Sequence, residues 1–176
     1  TYVKKDNPES CYYNTPEMLI SGCPLDASPN KQQRILMYFD LSSVRGTITS
    51  GSVKLVELAG ESSYGTTNTR LYEAMDKWDW YGACWSKPFG TGEWTNSQHY
   101  NPSGQVLGNP PVLDDGTAAN NPPTKNRTIT IPLNSNGVAK VESWKSNPST
   151  NKGFLLKVEN EGASVGRKYC SQNYEN

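Results

Sequence analysis

At 176 residues the chain is the size of one domain and can bury roughly 70% of its unfolded surface around one core. Seventeen basic residues balance seventeen acidic ones, which removes the net field that would hold the chain to nucleic acid or an anionic membrane. The longest apolar runs, such as Ile35-Leu36-Met37-Tyr38-Phe39, fall far short of the ~20 residues that cross a bilayer. No signal-peptide pattern opens the chain, so we expect a mature segment without membrane insertion.

Short apolar and β-branched runs with a period near two predict strands near residues 1–4, 17–21, 33–40, 52–59, 69–77, 83–86, 128–133, 153–159 and 165–171. Turn chemistry separates them: Asn7-Pro8, Asn14-Thr15-Pro16, Ser28-Pro29-Asn30, Arg45-Gly46, Ala59-Gly60 and Asn160-Glu161-Gly162 all favour reversal. One stretch departs from this period. Val138, Val141 and Trp144 recur every three residues between Gly137 and Asn147-Pro148, which predicts a single short helix over one end of the strands. About nine short strands without a βαβ rhythm predict an all-β antiparallel sandwich.

From about 86 to 127 the chain is rich in Gly, Pro and Asn, including Asn109-Pro110-Pro111 and Asn120-Asn121-Pro122-Pro123. Loops this long are uncommon in compact domains unless they carry function. No repeat or charge block divides the sequence, so residues 1–176 are read as one module with a long central loop region. Cys11, Cys23, Cys84 and Cys170 make an even count, and two disulfides are the expected reading in a chain of extracellular composition. Cys11 with Cys23 and Cys84 with Cys170 is one arrangement; the other two pairings stay open. A zinc site is disfavoured, since no two cysteines lie two to four residues apart and His99 is the one histidine.

The segments Thr1-Tyr2-Val3, Asp6-Asn7-Pro8-Glu9-Ser10 and Arg34-Ile35-Leu36-Met37-Tyr38-Phe39-Asp40-Leu41-Ser42-Ser43 resemble the opening of the DNRLRE-type modules, grouped as carbohydrate-binding module family 96. The likeness continues through Ser52-Val53-Lys54-Leu55, Leu71-Tyr72 leading to Trp78, Gly82-Ala83-Cys84-Trp85-Ser86-Lys87, Val138-Ala139-Lys140-Val141-Glu142-Ser143-Trp144 and Gly153-Phe154-Leu155-Leu156-Lys157. The 88–125 insertion is most similar to the disaggregatase-related branch. This resemblance implies a jelly-roll β-sandwich, secreted or held at the cell surface, that binds polysaccharide without catalysis and belongs to a larger polysaccharide-active protein. It also leaves room for a structural calcium ion on hard oxygen ligands, for which Asp114-Asp115 is a thin motif; no other cofactor is expected.

Two departures stand out. Similar modules carry one more strand after the segment corresponding to Arg167–Ser171, whereas this chain stops at Asn176. Cys84 occupies a place where they tend to have a β-branched residue, which suggests a local disulfide. The first departure means either that the fragment is trimmed or that an edge is left for a neighbouring subunit, and that second option motivates the alternative reading, a structural or adhesive subunit whose edge strand is completed by a neighbouring copy of the same protein.

Trp78, Trp85 and Trp144 match recurring positions of the family and are expected in the core. Trp80, Tyr81, Trp94 and Tyr100 do not, and they sit among loop residues; these four are the expected ligand contacts, because sugar rings present C–H faces that stack on aromatic rings. Their other reading is packing of the loop against the sandwich. His99, in the polar run Asn96-Ser97-Gln98-His99-Tyr100, reads as a surface histidine. Asp76, Asp79, Glu93, Asp114 and Asp115 lie near or in the loop, and turn capping accounts for them without a glycosidase pair. Asp40 is expected to anchor the turn that follows it. No catalytic residue is assigned. Asn126-Arg127-Thr128 is an N-glycosylation acceptor pattern, making Asn126 a candidate attachment point.

Overall fold

The computed structural model describes residues 1–13, 15, 32–58, 69–101, 104–108, 126–162 and 166–171, and the backbone alone of 17–21. The strands are β1 (Tyr2–Lys4), β2 (Glu17–Ser21), β3 (Gln33–Met37), β4 (Ser52–Glu57), β5 (Thr69–Glu73), β6 (Arg127–Pro132), β7 (Phe154–Val158) and β8 (Gly166–Cys170), with one helix, α1 (Ser135–Ser146), between β6 and β7. A short 3₁₀ turn, Pro148–Thr150, follows the helix.

Every described pairing is antiparallel, and hydrogen bonding runs β5-β7-β3-β2-β8-β4-β6, with β1 also on β3. The path folds over on itself. Ile35, Met37, Leu71 and Leu156 of one layer pack in a single cluster with Val53, Leu55, Ile129 and Ile131 of the other. The molecule is an all-β sandwich with one short helix. β2 makes the crossing, pairing along its length with β8 and, through Ser21, with Gln33 of β3.

Local sequence accounts for the layers. In β4, Val53, Leu55 and Glu57 are buried while Ser52, Lys54 and Val56 face solvent; in β6, Ile129 and Ile131 alternate with exposed Thr128, Thr130 and Pro132. Such one-sided strands cover a core on one face only. β7 is buried at all five positions, because its second face is also covered. Val3, Leu36 and Leu155 turn away from the main core and pack with Ala74, Ala83, Trp94 and Tyr100 in a second cluster. The chain from Ala74 to Asn101 is thus a lid over the outer face of β1, β3 and β7.

The helix forms where its periodicity placed it. Asn134 caps it by accepting from the Gly137 N–H at 3.0 Å, and Val141 and Trp144 enter the main core. Gly137 is required by contact, since a Cβ there would strike the Leu107 carbonyl.

One expected strand is absent. Residues 83–86 form a turn, with the Cys84 N–H donating to the Lys87 carbonyl at 2.9 Å; their apolar character serves the second core without a ladder. The middle of the long loop, with Asp114 and Asp115, lies outside the described residues, as does Cys23.

Candidate functional site

The lid is fixed to the sheet by backbone and side-chain bonds. Ala74 bridges Tyr100, the Met75 N–H donates to the His99 carbonyl at 2.7 Å, and the Asp76 carboxylate accepts from the Thr95 N–H at 2.8 Å and its hydroxyl at 2.6 Å. The Trp78 indole donates to the Lys152 carbonyl at 2.8 Å. Trp94 is 7% exposed and Tyr100 8%. Two of the four aromatic residues expected to touch ligand therefore pack the lid onto the sandwich.

His99 is 0% exposed, not the surface residue its polar neighbours suggested. Its ring lies between Trp85, at 4.6 Å, and Trp94, at 4.9 Å. Nδ1 stands 3.2 Å from Nη1 of Arg34; a guanidinium only donates, so Nδ1 accepts and the proton resides on Nε2. Burial, and secondly the Arg34 charge, pull the imidazole from 6.5 to about 3. A neutral, enclosed histidine cannot shuttle protons to a substrate.

Around it runs a closed polar network. Arg34 meets Glu161 through two bonds of 2.7 and 2.9 Å, donates to the Gln98 carbonyl at 2.7 Å and lies 4.6 Å above the Trp85 ring. Lys157 pairs with the same glutamate at 3.4 Å. These groups bond one another and hold the lid down, while the buried Nε2 of His99 has no hydrogen-bond partner among the described residues.

Trp80 and Tyr81 differ: they are 55% and 57% exposed. The turn that presents them is built tightly. The Asp79 carboxylate accepts from the Tyr81 N–H at 2.9 Å, the Ala83 N–H donates to the Asp79 carbonyl at 2.8 Å, and the Asp79 N–H donates to the Pro88 carbonyl at 3.0 Å. A Cβ on Gly82 would strike the Gly90 backbone nitrogen, so only glycine lets the two strands of this loop close. Asp79 is thus bonded within its own turn, as expected of a turn cap, and Asp40 likewise accepts from the Ser42 N–H at 2.9 Å; Asp76 instead ties Thr95, nineteen residues on, across the lid.

Tyr13, which sequence reasoning did not single out, completes the group. Its ring centroid lies 5.8 Å from that of Trp80 and 4.4 Å from that of Tyr81, and Trp80 and Tyr81 meet edge-on at 5.8 Å. A hydrogen bond with Tyr81 pushes the Tyr13 phenol upward in pKa. Beside the trio opens a cleft of about 410 Å³, within the ~300–1,000 Å³ that small-molecule sites occupy. Leu36, Met37 and Leu55 line it with Tyr12, Tyr13, Trp78 and Trp80; the exposed rings of Tyr38 and Phe39 and the polar groups of Lys54, Thr15 and Ser171 also border it. Flat apolar faces beside scattered donors and acceptors suit a ligand with C–H faces and a hydroxyl rim.

Among the described residues no three of His, Cys, Asp and Glu gather as a metal site, and no described helix is long and apolar enough to cross a membrane. Asn126 is exposed at the head of β6. No disulfide joins two described cysteines. The Cys11 thiol donates to the carbonyl of Gly82, two residues before Cys84, a neighbourhood different from the arrangement that pairs Cys11 with Cys23 and Cys84 with Cys170.

A β-sandwich that shows solvent a cluster of aromatic rings beside an open cleft has the form of a carbohydrate-binding module. The sequence profile of carbohydrate-binding module family 96 matches residues 1–107, well over half of the chain. The chain belongs to that family, whose members are non-catalytic modules with carbohydrate as partner. The matched span takes in β1–β5, the lid and the aromatic trio; α1 and β6–β8, to which the sequence resemblance also extends, lie beyond it. No curated protein matches the chain.

Proposed function

We propose that the module binds polysaccharide in the cleft bordered by Tyr13, Tyr38, Phe39 and Trp80, with Tyr81 buttressing the platform. The observation that carries this reading is the exposure of Trp80 and Tyr81 on a turn fastened by Asp79 and Gly82. Leaving over half of each large ring in water forgoes part of the roughly 1.5–3 kcal/mol that full burial gives, and a rigid turn that does so presents the rings to a partner. Lys54, in the cleft lining, adds a cationic donor for sugar hydroxyls or a uronate carboxylate. We place the module outside the cell, where a polysaccharide partner is met.

The test is titration of the purified chain against neutral and uronate-containing polysaccharides, followed by Trp80→Ala and Tyr13→Ala. Binding that both substitutions weaken at least tenfold is the expected result. A folded chain that binds none of them would overturn the reading and favour the structural or adhesive subunit, for which size-exclusion chromatography would then show multimers.

A further inference from the structure

The arm from Asn7 to Tyr13 and the turn from Asp79 to Lys87 lie far apart in sequence, yet the structure lashes them together. Ser86 donates both its N–H, at 3.1 Å, and its hydroxyl, at 3.0 Å, to the Pro8 carbonyl. Lys87 pairs with Glu9. The Cys11 thiol donates to the Gly82 carbonyl at 3.4 Å, and Cys84, two residues further on, is buried beneath the same turn with its own thiol 3.3 Å from the Ser86 hydroxyl. Burial, and next the neighbouring Cys84 thiol, push the Cys11 thiol up in pKa. Two residues beyond Cys11 stands Tyr13; two residues before Gly82 stands Trp80. These cysteines therefore sit at the base of the two chain segments that together make the aromatic platform.

We infer that Cys11 and Cys84 form a disulfide that clasps the Tyr13 arm to the Trp80–Tyr81 turn and pre-sets the platform for its ligand. The link itself does not depend on what the platform binds; its role in pre-setting the platform rests on the proposed polysaccharide site. The oxidant is a low-molecular-weight disulfide. Cys11, the more exposed of the pair, attacks it as thiolate, forming a mixed disulfide and releasing one small thiol. Cys84 then attacks the Cys11 sulfur, forming the internal bond and releasing the second small thiol. Two protein thiols and one small disulfide become one protein disulfide and two small thiols, so electrons and protons balance.

A disulfide of this span restricts the unfolded chain strongly, and freezing both halves of a binding surface removes an ordering cost at the moment of binding. The experiment equilibrates the full chain with oxidised glutathione, alkylates residual thiols and maps peptides without reduction. We expect a crosslinked Cys11–Cys84 species, absent from Cys84→Ala. We expect Tm to fall by roughly 5–15 °C on reduction or in the Cys11→Ala, Cys84→Ala double variant. Polysaccharide affinity should drop roughly 2–10-fold in the same variant.

Recovery of Cys11 linked to Cys23, or of Cys11 and Cys84 both alkylated in the folded oxidised chain, overturns the inference whatever the binding result. A crosslink whose loss leaves affinity unchanged overturns the pre-setting role. A crosslink in a chain that binds no glycan at all upholds the link and sinks the polysaccharide reading instead.

Discussion

The indole N–H of Trp94 donates to the carbonyl of Cys84 at 3.0 Å, so the same loop that shows Trp80 to solvent is held down from beneath by another tryptophan. Fourteen residues separate two rings of identical chemistry, one a packing element and the other a free surface. What divides them is the outer face of β1, β3 and β7, which Val3, Leu36 and Leu155 make apolar and which needs a cover.

Truncating the two rings should therefore have opposite consequences. Trp94→Ala empties part of the second core and should cost about 3–5 kcal/mol in urea denaturation. Trp80→Ala should change stability by about 0.5 kcal/mol or less, as exposed substitutions do, while removing ligand affinity.

His99 supplies a pH test. Its imidazole is held at about 3 in the fold against its ordinary 6.5, so between those values the unfolded chain carries the extra proton. Stability is then flat above pH 6.5 on this account and falls as the pH drops from 6.5 towards 3, by about 1.4 kcal/mol per unit. His99→Asn, which tolerates the left-handed backbone at φ 61°, should lose that component. The check is the difference between the two pH–stability curves, measured by thermal melting.

Glu57 is fully buried in β4 and pairs with Arg127 at 2.7 Å and Arg167 at 3.2 Å. It also stands opposite Tyr169 across the seam between β4 and β8, and burial, then the Glu57 charge, push that phenol well above its ordinary range. Glu57→Ala leaves two guanidinium groups without the carboxylate they share and should cost about 3–5 kcal/mol. Equilibrium unfolding in urea measures it.

Gly82 links fold to site. Gly82→Ala forces a Cβ against the Gly90 backbone, so the turn bearing Trp80 and Tyr81 must shift. We expect a loss of polysaccharide affinity exceeding that from Gly90→Ala, whose Cβ would meet open space; calorimetric titration of both variants makes the comparison.

The sandwich was largely legible in the sequence because its signals are local. The alternation of Ser52–Glu57 maps onto a strand with the expected face buried, and the three-residue spacing of Val138, Val141 and Trp144 onto a helix that buries Val141 and Trp144 and half-buries Val138. Residues 83–86 misled because Ala83 and Trp85 are apolar for a reason that no period records: they plug a second core without joining a ladder. His99 was hidden by its polar neighbours, since its surroundings are made by Arg34, sixty-five positions away. Trp80 and Tyr81 were visible as loop aromatics, but not their separation from Trp94 and Tyr100, because which face of the lid turns inward depends on the sheet beneath. Tyr13 left a faint trace, the Tyr12-Tyr13 doublet beside Cys11; only the fold brings it to Trp80.

The most direct test of the central claim is ¹⁹F NMR of the chain labelled with 5-fluorotryptophan, with the five resonances assigned by single Trp→Phe variants and polysaccharide then titrated in. The account predicts that the Trp80 resonance shifts and broadens with ligand, while those of buried Trp94 and Trp144 stay in place. A Trp80 resonance unmoved by a polysaccharide that demonstrably binds would contradict it and put the site elsewhere on the module.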